Sequence, residues 1–411
     1  MLLPLFLPSP VFQGELMNFK GLTIGIVKEI MDHENRVAAI PDTVKKLAAQ
    51  GAKVLLEKGA GAKSYFRDEE YQSAGAEIVS DCEEIYGKAQ IILKVKEPIF
   101  NKAKNKHEVS MMKKGQLLVS FLHPASPVNH NMVRDLARQG VIGLTLDGIP
   151  RITRAQAMDA LTSMSTVAGY KGVILAADHL TRFIPMIGSA VGVIQPSQVF
   201  VIGAGVAGLQ ALATAKRLGG VTYACDVRPD AAEQAKSLGA KIVESGVPGD
   251  IAIGKGGYAR HLPDEWIARE RAAIHDTVIK SDIVILCALI PGRVAPILIT
   301  EEMVKLMRPG SVIIDISIDQ GGNCALTEFG ETVTKHDVTI VGIKNIPGSV
   351  PRSSTWMFAN NIFNFVNYFV KDGKIGLDTK DEIIKSALVT IDGKLVHEGA
   401  LEAIAEAGKA S

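Results

Sequence analysis

Short, almost wholly apolar blocks alternate along this chain with longer stretches whose apolar positions return every three or four residues. The blocks at 22–27, 53–57, 91–95, 117–121 and 141–146 read as buried strands, and the stretches at 41–50 and 68–74 as helices. Strands alternating with helices imply a parallel sheet covered on both faces. The stretch 163–179 reads as a helix leading into a second series, whose strands fall before residue 203 and at 283–289, 311–318 and 338–343. Residues 360–369 are aromatic and apolar at helical spacing, which fits a packing surface on a helix returning to the first series. The expected fold is α/β, with two Rossmann-like doubly wound parallel-sheet domains and a cleft between them. The first domain is expected over 18–165 plus 350–411, and the second over 166–349.

The second series opens on the run VFVIGAGVAGLQALATAKRLGGVTYACD. An apolar strand, a GxGxxG turn, a helical run, a second strand and a closing acid arrive in that order, as a dinucleotide-binding unit requires. Gly203 allows the tight turn, Gly205 lets the backbone approach a pyrophosphate, and Gly208 lets helix and strand pack closely. Gly203, Ala204, Gly205, Val206, Ala207 and Gly208 are therefore the expected phosphate-binding positions, on a helix N-terminus that favours anions. Asp226 stands where such units place the acid that binds the adenosine ribose hydroxyls. Its charge favours NAD, while Arg228, two residues on, keeps NADP open.

With 411 residues, 47% of them apolar, the chain can bury the cores of two domains. Lys and Arg number 45 against 44 Asp and Glu, a net charge of +1, so no broad field recruits nucleic acid or an anionic membrane. The four cysteines show no CxxC spacing and fit buried thiols in a reducing cytoplasm. The leading MLLPLFLPSPVF carries three prolines and no basic region, so residues 1–16 read as a dispensable extension and not as a signal peptide. No stretch reaches the roughly 20 apolar residues of a spanning helix. The histidines lack metal-ligand spacing, so no metal is expected. Residues 249–274 break the pattern with glycines and a charged helical stretch, and read as a mobile loop.

Hydride transfer beside this unit needs groups that hold the partner molecule and, for an amino acid, one that manages the amine proton. Four residues just beyond expected strands suit those roles: Arg36, a fork for a carboxylate, then Lys96, His123 and Asp319. That is the end of an open parallel sheet where ligands bind. Singly, each has a structural explanation as a solvated end, a satisfied histidine or a turn former.

Over 18 to about 398 the chain resembles the alanine dehydrogenase and nicotinamide nucleotide transhydrogenase family, and it carries marks of both branches. RITRAQAMD at 151–159, followed by MSTVAGY, is similar to the transhydrogenase NAD(H)-binding loop, a resemblance that implies Arg151, Gln156 and Asp159 position the nicotinamide, with Ser165 nearby. GGYA at 256–259 matches that component's mobile loop and brings in Tyr258. ALIPG at 288–292 brings in Leu289, and GGNC at 321–324 matches as well. Thr162 stands where the family commonly has serine. KVKEP, FLHPA, DQGG and NIP resemble the alanine dehydrogenase branch, which implies a substrate-binding Lys96, an acid/base His123, a catalytic Asp319 and an active-site Asn345, with Arg36 on the substrate.

Two readings follow from the resemblance. In the first, the chain is the NAD(H)-binding subunit of a proton-translocating transhydrogenase. It would be cytoplasmic and peripheral at the inner membrane, working with NADP(H)-binding and membrane subunits. In the second, it is a free-standing dehydrogenase that deaminates a small L-amino acid with NAD. Either implies a homodimer or higher homo-oligomer. A nucleotide-sensing protein without turnover is a third class, since fold alone does not establish activity.

Overall fold

The structure is a computed structural model that describes residues 17–254, 260, 262–289 and 294–410, without the side chains of 406–410. The first sheet is built on β1 (Thr23–Ile26), β2 (Lys53–Glu57), β3 (Ala76–Val79), β4 (Ile91–Leu93), β5 (Leu117–Ser120) and β6 (Ile142–Thr145). These run parallel in the order β3-β2-β1-β4-β5-β6, and Leu388–Ile391 and Lys394–Leu395 add two antiparallel strands beyond β6. The second sheet holds β7 (Gln198–Ile202), β8 (Val221–Cys225), β9 (Lys241–Ile242), β10 (Ile283–Leu286), β11 (Val312–Asp315), β12 (Thr332–Lys335) and β13 (Val338–Val341). Its order is β9-β8-β7-β10-β11-β13-β12, with only β12 antiparallel. Both sheets therefore reverse their strand order beside the first strand, at β1/β4 and at β7/β10. Ligand crevices open at such reversals, beyond the carboxyl ends of the strands.

Four helices place the site: α1 (Ala160–His179), α2 (Val206–Arg217), α3 (Asp264–Lys280) and α4 (Pro351–Phe369). The core of the first sheet takes in Phe358, Ile362, Phe365, Val366 and Phe369 of α4, so residues 360–369 are packing surface. Helix α1 belongs to both cores. Ala160, Met164 and Val167 pack with the first sheet, while Val173 and Ala176 pack with the second. No helix among the described residues is long and apolar enough to cross a membrane.

Three of the differences between observed and expected elements have a local reason. Strand β4 stops at Leu93 because the Val95 and Lys96 amides turn to the Glu29 carboxylate, at 2.6 and 3.4 Å. Helix α1 starts three residues early because Asp159 caps it, accepting from the Thr162 N–H at 2.8 Å. The expected loop at 249–274 holds a short helix, Gly249–Ala252, and the first turns of α3. Its glycines at 256 and 257, with Tyr258, lie outside the described residues.

Helices α1 and α2 approach closely at Gly169 of α1, where an added Cβ would sit 2.0 Å from the Ala207 carbonyl oxygen at the start of α2. Gly169→Ala should lower stability by about 1–3 kcal/mol, because neither backbone can yield without disturbing both cores. Gly87→Ala, a helical glycine with nothing within 4 Å, should be neutral or slightly stabilising. Equal urea midpoints for the two variants would refute the close-packing account.

Candidate functional site

The glycine turn joins β7 to α2. Gly203 has φ +89° and donates its N–H to the Cys225 carbonyl at 2.9 Å, and a Cβ there would lie 2.7 Å from the Cys287 backbone. Among the described residues, a Cβ added at Gly205 would meet only the Arg228 guanidinium, at 3.8 Å. The amides at the start of α2 thus face a cradle that fits a pyrophosphate. The pocket over it is lined by Gly203, Gly205 to Gly208, Asp226, Arg228, Ala288 and Leu289, and by Arg151 and Ser165 from the chain around the start of α1.

Asp226 stands at the end of β8, as the spacing requires, and its carboxylate is already engaged. It accepts the Ala204 N–H at 2.7 Å, and from Arg228 the backbone N–H at 2.9 Å, Nε at 2.9 Å and a terminal nitrogen at 2.8 Å. A ribose diol must therefore displace or share the Arg228 fork.

Arg151 and Gln156 are exposed on the loop before α1, and Gln156 lies in a 3-10 turn, Thr153–Met158. Asp159 is buried and holds both the Thr162 N–H and the Thr162 hydroxyl, the latter at 2.7 Å. Threonine at 162 thus keeps the hydroxyl that a serine would offer.

The residues beyond the first-sheet strands form a linked set. Arg36 is buried and its fork is filled from within the chain: Nε and a terminal nitrogen donate to the two Glu34 oxygens at 2.8 and 2.6 Å. Burial acts to raise the Glu34 pKa, but the Arg36 charge and hydrogen bonds hold it down at about 2. Asn345, at φ +49°, accepts from Arg36 at 3.1 Å and donates to Glu34 at 3.0 Å, while its N–H donates to Asp319 at 3.4 Å. Asp319 is exposed, and Gln320 beside it lines the nucleotide pocket. The charge of Lys96 acts on both Glu34 and His123. Arg36, Lys96, His123, Asp319 and Asn345 thus form one constellation that borders the nucleotide pocket at residues 319–320.

His123 is held as an oriented imidazole. Its Nδ1 lies 2.7 Å from the Asp147 carboxylate, its own N–H donates to the same group at 2.8 Å, and its ring stacks on Phe121 with centroids 5.7 Å apart. The backbone adopts a left-handed φ of +43° there, a strained conformation for a side chain of this size. Burial disfavours the imidazolium, but Asp147 outweighs it and raises the His123 pKa; in turn Asp147 is held at about 2 against burial, by His123 and Thr145. Nε2 is left as the nitrogen that can exchange a proton with a ligand.

Several residues of this site escape a reading of the sequence. Asp147 is visible there only as an acid just past a strand. Lys94, fully buried at the end of β4, sits 2.9 Å from Glu108 and 3.5 Å from Glu29, and Tyr86 donates to Glu108 at 2.8 Å. Glu29 takes the amides of Val95 and Lys96, and Glu108 takes that of Ile99 at 2.9 Å. This ionic cluster pins the segment that carries Lys96. A lysine inside an apolar block is its only signal in the sequence. No group of three or more His, Cys, Asp or Glu among the described residues could hold a metal ion.

Models of the alanine dehydrogenase/PNT N-terminal and C-terminal domains match residues 25–168 and 172–398. The chain belongs to this family. It is 41% identical over 382 residues to an NAD(P) transhydrogenase subunit alpha polypeptide of Rhodospirillum rubrum, covering 92% of this chain and 98% of that protein. It is 32% identical over 391 residues to an alanine dehydrogenase of Methanococcus maripaludis, covering 93% and 96%. The crystal structure of a transhydrogenase from Sinorhizobium meliloti superposes with a TM-score of 0.79 at 38% identity, covering 91% of this chain and all of that one. The protein is thus an NAD-dependent oxidoreductase with the two-domain α/β fold of these relatives.

Asp147→Asn should lower the His123 titration midpoint, since it removes the charge that outweighs burial while the opposing Lys96 charge stays. Proton NMR of the imidazole would measure it; an unmoved midpoint would refute the pairing.

Proposed function

We propose that this chain is the NAD(H)-binding subunit of an NAD(P) transhydrogenase, exchanging hydride with NADP(H) held on a partner subunit whose membrane portion couples the exchange to proton translocation. The observation that carries this reading is the placement of the 151–159 loop. Arg151 and Ser165 line the pocket over the glycine turn, while Gln156 stays exposed, where a second nucleotide-bearing protein can reach it. The extent of the likeness to transhydrogenase alpha subunits supports the same reading.

The bound nicotinamide would supply the hydride acceptor and donor. The chain's own role is to hold the pyrophosphate on the α2 amides, fix the adenosine ribose through Asp226, and orient the nicotinamide end with Arg151, Gln156 and Ser165. Direct exchange between two nicotinamides moves no substrate proton, so this reading asks nothing of His123.

The paired His123 and Asp147 favour a second reading, deamination of a small L-amino acid. Here Arg36 and Lys96 would hold the carboxylate and oxo group, and His123 Nε2 would take and return the proton. Asp319, with Asn345 beside it, would assist the step in which water replaces the amine.

Assaying the purified chain separates the two. We expect no NADH formation from a panel of L-amino acids, and NADH-dependent hydride exchange that appears only when an NADP-binding transhydrogenase subunit is added. L-alanine-dependent NADH formation that falls by about 100-fold or more in His123→Ala and Lys96→Ala would overturn the first reading in favour of the second.

A further inference from the structure

The buried face of α3 presents Ile267, Ile274 and Val278, and is interrupted by Glu270. The Glu270 side chain is 5% exposed and lines the nucleotide pocket together with Asp226 and Arg228. Among the described residues no hydrogen-bond donor reaches its carboxyl group, and the Asp226 charge acts on it directly. Arg271, the next residue, is turned away: its guanidinium donates to the Ile297 carbonyl at 2.8 and 2.6 Å. Burying a carboxyl without a donor is costly, and neither core packing nor hydride transfer calls for one here.

We propose that Glu270 is a specificity-determining residue: it places a second carboxyl beside Asp226 at the adenosine end of the pocket and excludes by charge a ribose 2′-phosphate, and with it NADP(H). Asp226 cannot do this alone. Its charge is balanced by the fork of Arg228, the residue type that accommodates a 2′-phosphate in NADP sites. The pair is therefore electrically neutral and would offer Arg228 to an incoming phosphate. Glu270 adds a second carboxyl, buried and unpaired among the described residues, to that end of the pocket. Arg260 also lines the pocket but is exposed, so solvent and salt screen it, whereas the buried Glu270 acts with little screening. The inference holds for either reading of the function, because both use this nucleotide site.

Burial and the Asp226 charge raise the Glu270 pKa to about 7. Among the described residues, the titratable and charged groups around it are Asp226, Arg228 and the buried Cys225 thiol at the end of β8, Arg271 on α3, and Arg260 on the preceding segment. The exclusion is strongest above pH 7, where the carboxylate is charged, and relaxes as pH falls and the group becomes neutral. A 2′-phosphate, with a pKa of about 6, stays mainly dianionic between pH 8.5 and 7, so a change in that interval reports on Glu270.

The test is calorimetric binding of NADH and NADPH to the full chain and to Glu270→Gln, which keeps the shape and removes the charge. At pH 8.5 the ratio of NADPH to NADH dissociation constants should fall by on the order of tenfold in the variant. The wild-type ratio should fall between pH 8.5 and 7, and the variant ratio should stay level. An unchanged ratio in Glu270→Gln with NADH binding intact would overturn the proposal. Should the variant fail to fold, the wild-type series decides alone, and a ratio that is flat over this interval would overturn it.

Discussion

Everything in this molecule hangs on one helix serving two cores. Helix α1 buries Ala160, Met164 and Val167 against the first sheet and Val173 and Ala176 against the second. At its middle, Gly169 lies backbone to backbone against the phosphate-binding turn. A continuous helix has no soft dihedral at which one half can turn relative to the other. The Arg151 loop at its N-terminus and the glycine turn at its midpoint are therefore fixed in mutual position by the same hydrogen-bonded rod. Asn345 adds a second tie across the cleft, because it bridges Arg36 and Glu34 of the first series to Asp319 of the second. The site is built where these two ties meet.

The first sheet carries an unusual amount of buried charge, and its pattern explains why hydrophobic residues would not serve. Lys94, Glu29 and Glu108 are all essentially inaccessible. Burial, the largest influence, raises Glu29 to about 7, even though Lys94 acts to lower it. Replacing such a cluster with apolar side chains is often neutral for stability. Apolar side chains cannot accept backbone N–H groups, however, and here two carboxylates receive those of Val95, Lys96 and Ile99. The cluster fixes the geometry of the segment that presents Lys96.

Much of this is legible in the sequence, because the signals are periodic or local. The apolar blocks mark nearly every central strand, and the ordered run of strand, glycine turn, helix, strand and acid from Val199 to Asp226 locates the nucleotide unit. Strand β3 escapes the pattern because Ala76–Val79 is an edge with Glu77 facing solvent, so it lacks the continuous apolar run of a central strand. What the sequence conceals is pairing at a distance. Asp147 meets His123 from the neighbouring strand, and Glu270 reaches the Asp226 pocket from a helix 44 residues further on. No spacing rule links such partners, since the topology of the sheet brings them together. The glycine-rich segment at 255–259 lies outside the described residues.

The two marks in this chain bear unequal weight once Arg36 is seen in place. A guanidinium that grips a substrate carboxylate must offer an edge of two parallel N–H groups. In Arg36 the edge formed by Nε and a terminal nitrogen is spent on Glu34, and that same terminal nitrogen also serves Asn345. Only the remaining terminal nitrogen makes no hydrogen bond among the described residues, and a single nitrogen cannot provide that fork. An amino acid entering here would either displace a carboxylate whose pKa is held at about 2 or rely on Lys96 for its charge. A second nicotinamide presented by another protein faces neither demand, because its recognition lies with its own carrier. The internal neutralisation of Arg36 thus tilts the balance toward the transhydrogenase reading, even though the imidazole of His123 remains oriented for proton transfer.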